Sequence, residues 1–156
     1  MIFSIHSWSA DFPKPDGTIH HKKAKKGDPA GTGDVQRLNE NALCKKRLQS
    51  LRELGSEMGP SFFFELLGVF QQDAVEHLAV LRSAVAGGET GRLGREAHAL
   101  KGASLTIGAD GMAEICKQLE DLGTSQSLED APAALECLDR EFDRVKSEIE
   151  RESLIA

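Results

Sequence analysis

The chain has 156 residues, of which 40% are hydrophobic and 28% are charged, a composition typical of one soluble globular domain. Its formal net charge of −6 makes nucleic acid an unfavourable partner, because a phosphate backbone is bound by a basic face. No apolar run reaches the roughly 18 residues of a membrane span, and three cysteines without a CxxC pair favour free thiols in a reducing, cytoplasmic compartment.

The first 34 residues differ in composition from the rest of the chain. They contain three prolines, four glycines and the basic run HHKKAKKG, with five lysines against four aspartates. This composition predicts a disordered tail or linker over residues 1–34. Two functional interpretations of this segment stay open. The basic run could make an electrostatic contact with a partner, and, as a less favoured interpretation, His20 and His21 could bind a metal.

Helical periodicity runs from about residue 35 to the end of the chain, which is expected to be one domain over 35–156. Glycines, caps and a linker divide it into one or two short helices and four long amphipathic ones. The short helical part is predicted to end at Gly55. The first long helix starts at 59–61, with Gly59 or Ser61 as its cap, and ends at Gly87–Gly88; the second starts near Thr90 and ends at Gly108. The third is capped by Asp110 and ends at Gly123, and the linker TSQSLEDAP leads to the fourth. Short loops between long helices predict an all-α fold, an antiparallel up-down four-helix bundle with a short N-terminal helix over one end.

The helix predicted to start near Thr90 carries a histidine on its outer side. On a helical wheel the core-facing residues fall within one arc, and His98 lies roughly 140° from the centre of that arc. The arc consists of Leu93, Ala97, Leu100, Ser104 and Ile107. We therefore expect the imidazole ring to face solvent, which argues against a histidine satisfied inside the core.

Small and cationic residues surround His98 on this helix. Gly94 and Gly102 lie one turn before and after it, although each glycine costs a helix on the order of 1 kcal/mol relative to alanine. Arg95 and Lys101 lie three residues to either side. An exposed neutral imidazole is a nucleophile near pH 7, and neighbouring cations offset the charge of a phosphoryl group on its nitrogen. The pattern favours phosphoryl transfer; the alternative is a solvated helix face whose small residues are incidental.

The segment AHALKGASLTIGA, residues 97–109, resembles the signature of histidine-containing phosphotransfer (HPt) domains of multistep two-component phosphorelays. The matching positions are Ala97, His98, Leu100, Lys101, Gly102, Ser104, Gly108 and Ala109. The segments ICKQLED at 115–121 and FFFELLGVFQQDAVEHLAVLRSAVAGGE at 62–89 resemble the helices that follow and precede the signature. The resemblance covers residues 59–122 by motif and extends to about 150 by helix pattern.

The resemblance implies a phosphorelay intermediate. His98 would accept a phosphoryl group from a receiver-domain aspartate and pass it to the aspartate of another receiver. Lys101 would be the neighbour of the phosphate, and Gly102 would leave room for the partner. The other residues expected to meet the partner are Gly94, Arg95, Leu105 and Ser104.

The resemblance leaves one position of the site open. Some family members place a glutamine from the next helix beside the histidine. Glu120 aligns best with that position, and Gln118 lies nearby. A glutamate there would repel a phosphoryl group unless it is turned aside.

The resemblance also sets the expected partners. They are response-regulator receiver domains, with a hybrid sensor histidine kinase as a further candidate. Mg²⁺ is expected on the receiver, and this chain is expected to hold no cofactor and no metal. Because neither GxxxxGK nor GxGxxG occurs in the chain, we expect a phosphocarrier half-site and not an enzyme that phosphorylates itself from ATP.

The main alternative is a helical interaction adaptor without phosphotransfer, which would carry large apolar anchors on the exposed face near His98.

Asp73 and His77, four residues apart, could share a metal but are more typical of a surface pair. Cys116 neighbours core positions and is expected to pack. A di-iron bundle is disfavoured because no ExxH pairs occur on two helices.

Overall fold

The computed structural model of the protein describes residues 41–59 and 61–155. The predicted tail over 1–34, with its basic run and His20 and His21, lies outside the described residues. Five helices account for nearly all of the described part of the chain, so the predicted all-α class is confirmed. They are α1 (Lys45–Met58), α2 (Phe62–Gly87), α3 (Thr90–Ile107), α4 (Asp110–Thr124) and α5 (Ala131–Ile155).

The four long helices pack in a ring. α3 contacts α2 and α4, and α5 contacts the same two helices from the other side. α1 packs on α2 and α3, and the Cys44 N–H donates to the carbonyl of Gly108 in the turn after α3 at 2.8 Å. Gly108 adopts a φ of +82°, a conformation that favours glycine and turns the chain sharply into α4. These contacts fit the predicted bundle with a short helix at one end.

Three predicted helix boundaries are wrong. α1 continues past Gly55 to Met58, and α4 continues past Gly123 to Thr124. The N-cap residue of α4 is Ala109, and Asp110 is the first helical residue. At that position the negative charge of Asp110 interacts favourably with the positive end of the helix dipole. The sequence pattern predicts a helix end at Gly55 and at Gly123, but both glycines are buried inside helices. There a missing side chain allows close packing.

The core follows the three-and-four spacing of the apolar residues. The predicted arc of α3 is buried throughout, with Leu93, Ala97, Leu100 and Ser104 each 0% exposed. The other three long helices contribute buried residues of their own, among them Leu67, Leu81, Met112, Leu119, Leu138 and Val145. α3 is therefore held in one rotation about its axis, which determines the side chains that it presents to solvent. No helix among the described residues has the length and apolar character needed to cross a membrane.

α3 and α4 approach most closely where a glycine of one helix meets a glycine of the other. A Cβ placed on Gly123 would lie 2.6 Å from the backbone nitrogen of Gly94 and 2.7 Å from the carbonyl oxygen of Thr90. Backbone atoms in two helices cannot move aside as a side chain can. The pair Gly94 and Gly123 therefore sets the spacing of the two helices beside His98.

Gly123→Ala is expected to lower the free energy of unfolding by about 1–3 kcal/mol, since the added methyl group overpacks this crossing. Denaturant unfolding followed by circular dichroism measures the change. The matched control is Gly102→Ala, because a Cβ at Gly102 meets nothing within 4 Å. The control is expected to gain about 0.5–1 kcal/mol from helix propensity. A Gly123→Ala protein as stable as the wild type would contradict this view of the crossing.

Candidate functional site

His98 projects from the solvent side of α3, with 68% of its side chain exposed. Its helix neighbours Ala97 and Leu100 are both 0% exposed. The predicted orientation of the ring is confirmed. The imidazole can therefore be reached by a second macromolecule without any rearrangement of the core.

Glu120 of α4 reaches across to this ring. Its Oε1 lies 2.8 Å from the Nδ1 atom of His98, and its Oε2 is hydrogen-bonded by the ammonium group of Lys101. The carboxylate thus bridges the histidine and the lysine of the predicted signature. Of the two residues that the sequence left open, Glu120 is the one that contacts His98, whereas Gln118 is half-buried on the same helix.

The bridge determines the charge of the carboxylate and the tautomer of the ring. The hydrogen bond from Lys101, and next the one from His98, hold the pKa of Glu120 below its usual value. The carboxylate is therefore ionised near neutral pH and can only accept hydrogen bonds. Nδ1 of His98 must be the donor in this contact, so the lone pair of the neutral ring lies on Nε2, on the opposite side of the ring from Glu120.

The two flanking cations of α3 differ in their surroundings. The Lys101 side chain is 24% exposed and is held by Glu120. Arg95 is exposed, and its guanidinium group extends back along the helix, where Nη1 lies 3.6 Å from the position of a Cβ on Gly91. Lys101 therefore has a defined position beside the ring, and Arg95 adds charge at the N-terminal side.

A shallow open depression of about 390 Å³ adjoins the ring between α3 and α4. Glycines of both helices contribute to its lining. It is lined by Thr90, Gly91, Gly94, Arg95, His98, Glu120, Gly123 and Thr124. On the C-terminal side of His98, Gly102 faces open space and Leu105 is 47% exposed. His98, Gly102 and Leu105 thus follow one another along the exposed side of α3.

Two residues of the predicted partner surface have a different place in the structure. Ser104 is fully buried, and its hydroxyl donates to the carbonyl of Leu100 at 2.7 Å. Its grouping with exposed docking residues is wrong, because it lies in the core arc. Gly94 lines the depression, but it also faces the backbone of Gly123, so it serves the packing of α3 on α4.

The weaker candidate sites are not brought together. His77 pairs with Glu96 of α3, with Nδ1 and Oε2 2.8 Å apart, and Asp73 is exposed on α2. No group of three metal-ligating side chains occurs within residues 41–59 and 61–155. Cys116 is buried under the site, and burial raises the pKa of its thiol to about 12. The thiol therefore stays protonated and packs in the core, as predicted.

Comparison with known proteins agrees with this geometry. A family model described as Hpt domain matches residues 65–148. The crystal structure of histidine-containing phosphotransfer protein B (HptB) from Pseudomonas aeruginosa PAO1 is 32% identical in sequence, with a TM-score of 0.68 over 74% of this chain and 96% of that one. No curated protein matches the chain significantly in sequence.

A second solved structure, a presumptive histidine-containing phosphotransfer protein from rice, is 20% identical. Its TM-score is 0.64, over 80% of this chain and 91% of that one, and this likeness shows the fold alone. The family match covers more than half of the chain and includes α3, α4 and the residues around His98. The chain therefore belongs to the Hpt domain family.

Proposed function

We propose that this chain is a phosphorelay intermediate in which His98 carries the phosphoryl group between two receiver domains. The observation that carries the proposal is the bridge from Glu120, which leaves the Nε2 lone pair of an exposed ring free to attack. A neutral imidazole nitrogen in this state is a nucleophile at physiological pH without further activation.

The transfer balances with the groups that the two proteins supply. The Nε2 lone pair attacks the phosphorus of an aspartyl phosphate on the first receiver, a bond from nitrogen to phosphorus forms, and the bond from phosphorus to the aspartate oxygen breaks. The electron pair leaves with the receiver carboxylate. An aspartate of the second receiver then attacks the same phosphorus, and the imidazole recovers its lone pair.

Charge near the ring supports both steps. The ammonium group of Lys101 is bound to Glu120 beside His98, and Arg95 is among the residues that line the depression. Each cation offsets negative charge on a phosphoryl group in transfer, which acts mainly by electrostatics. Mg²⁺ is expected on the receiver, with this chain supplying the nucleophile and the docking surface.

The partners belong to the same proposal. They are response-regulator receiver domains, with a hybrid sensor histidine kinase as a further candidate. Free thiols at all three cysteines support a reducing compartment, which we take to be the cytoplasm. The alternative, a helical interaction adaptor without phosphotransfer, is less well supported, because it would carry large apolar anchors near His98, where α3 presents Gly102 and Leu105.

Label transfer distinguishes the two functions. The protein is incubated with a receiver domain that carries radiolabelled aspartyl phosphate, and the protein label is then tested for stability. We expect acid-labile, base-stable label on this chain, and its movement to a second receiver when one is added. Complex formation without label would instead identify an adaptor.

A larger side chain at Gly102 is expected to slow transfer. This residue lies one turn after His98 and faces open space, so its surface is available to a receiver. Gly102→Gln is expected to reduce the transfer rate about tenfold, or about 1.4 kcal/mol in the barrier, while Gly102→Ala has a smaller effect. Stopped-time label transfer measures both rates. Equal rates for glycine, alanine and glutamine would show that access is not the reason for the glycine.

A further inference from the structure

Glu120 places a negative charge beside the atom that would receive a phosphoryl group. Both of its oxygens are occupied: Oε1 contacts Nδ1 of His98 at 2.8 Å, and Oε2 is bonded by the ammonium group of Lys101. The carboxylate is therefore turned to the Nδ1 side of the ring, away from Nε2, and its charge is partly neutralised. A phosphoryl group on Nε2 is compatible with this arrangement. The charged carboxylate of Glu120 nevertheless affects the phosphorylated ring differently from the neutral amide of a glutamine at the same position.

The effect follows from the chemistry of the ring. When Nε2 attacks phosphorus, Nδ1 keeps its proton and the ring becomes a positively charged phosphoimidazolium. The protonated ring releases its phosphoryl group more readily than the deprotonated ring. When the bond from nitrogen to phosphorus breaks, a protonated ring leaves as neutral imidazole, whereas a deprotonated ring would leave as an imidazolate anion. An ionised carboxylate that accepts the Nδ1–H bond favours the positive ring, since charge-assisted hydrogen bonds are stronger than neutral ones.

We propose that Glu120 is a positioning residue that keeps the Nδ1 proton on phosphorylated His98, so that the phosphoryl group stays transferable and short-lived at neutral pH. The inference rests on the proposed function and adds how long the phosphorylated state persists. The chain is then suited to passing phosphate on quickly and poorly suited to storing it. Residual repulsion between the Glu120 carboxylate and the phosphoryl group acts in the same direction.

The other ionisable groups around the ring are consistent with this role for Glu120. Among the described residues that contact the ring or line the depression, the charged ones are Arg95 on α3 and Glu120 on α4, with Lys101 reaching the ring through Glu120. The buried Cys116 thiol below the site has a pKa of about 12 and stays neutral.

The test is the lifetime of the phosphorylated protein as a function of pH. Wild type and Glu120→Gln are labelled from a receiver, separated from it, and followed for loss of label between pH 5 and pH 9. Glutamine keeps the size of the side chain but is neutral. We expect the label on the variant to last about tenfold longer near pH 7.5, with the rise in lifetime beginning about one pH unit lower. At pH 5, where both rings are protonated, the two lifetimes should converge.

A matched control removes the same charge elsewhere on α4. Glu114 is exposed on this helix, and Glu114→Gln is expected to follow the wild-type curve. The ¹⁵N chemical shift of Nδ1 in the phosphorylated protein gives a second readout, and should report a protonated nitrogen to higher pH in the wild type. If the variant does not load from the receiver, phosphoramidate loads it directly, with His98→Gln treated alike to subtract label on other histidines.

The outcomes separate the two proposals. Identical lifetime curves for wild type and Glu120→Gln, with label on His98 in both, would overturn the inference about Glu120 and leave the phosphorelay function standing. A shorter lifetime in the variant would overturn it as well. A wild-type protein that accepts no label from any receiver would instead overturn the proposed function.

Discussion

His98→Gln is expected to abolish uptake of phosphoryl label from a receiver while leaving the fold intact. Glutamine has no nucleophilic nitrogen, so no covalent intermediate can form. The side chain is 68% exposed and makes its hydrogen bond to Glu120 at the surface. We therefore expect the helical circular dichroism to be unchanged and the free energy of unfolding to shift by less than about 1 kcal/mol.

His77→Gln is the matched control for that experiment. His77 of α2 pairs with Glu96 of α3 at 2.8 Å, the same type of contact between neighbouring helices that His98 makes with Glu120. The control loses an equivalent pair but not the proposed acceptor, and should keep full label uptake. Label on His98→Gln at the wild-type level, or its loss from His77→Gln, would show that the acceptor lies elsewhere.

The period of the apolar residues was sufficient to predict the fold class and the exposure of His98. A wheel drawn from Leu93, Ala97 and Leu100 gives the rotation of α3, and all three are buried as expected. Three-and-four spacing is a property of a single helix, so the buried face of that helix can be predicted without knowing which helices pack against it.

The spacing of apolar residues does not predict which residues of two different helices come into contact. Glu120 meets His98 only because α4 approaches α3 closely at Gly94 and Gly123. Both the rotation of α4 and this crossing depend on packing. Glycine was also ambiguous: Gly108 ends a helix with a positive φ, whereas Gly55 and Gly123 lie buried inside helices. Sequence position alone does not separate a glycine that ends a helix from one that allows close approach.

Glu120 also changes how the two cations should be compared. Lys101 neutralises this carboxylate from a position that is 24% exposed, while Arg95 is exposed and extends its guanidinium group toward Gly91. Removal of Lys101 therefore takes away a cation and also leaves Glu120 uncompensated beside the transferring group. Removal of Arg95 takes away only an exposed charge, whose effect is screened by salt.

Lys101→Ala is accordingly expected to slow transfer to His98 by about tenfold or more, or about 1.4 kcal/mol in the barrier. Arg95→Ala should have a smaller effect, expressed mainly as weaker, salt-sensitive docking to the receiver. Transfer kinetics of both variants at low and high salt, with receiver concentration varied to separate docking from the chemical step, measure these effects.

A double variant tests the reason for this order. If the uncompensated carboxylate causes part of the defect of Lys101→Ala, then adding Glu120→Gln should recover part of the lost rate, and the two changes will not be additive. Lys117→Ala, which removes an exposed cation on α4, serves as the control and should transfer at the wild-type rate. A larger chemical-step defect in Arg95→Ala than in Lys101→Ala would reverse the order, and it would place the guanidinium group, not the ammonium group held by Glu120, next to the phosphoryl group in transfer.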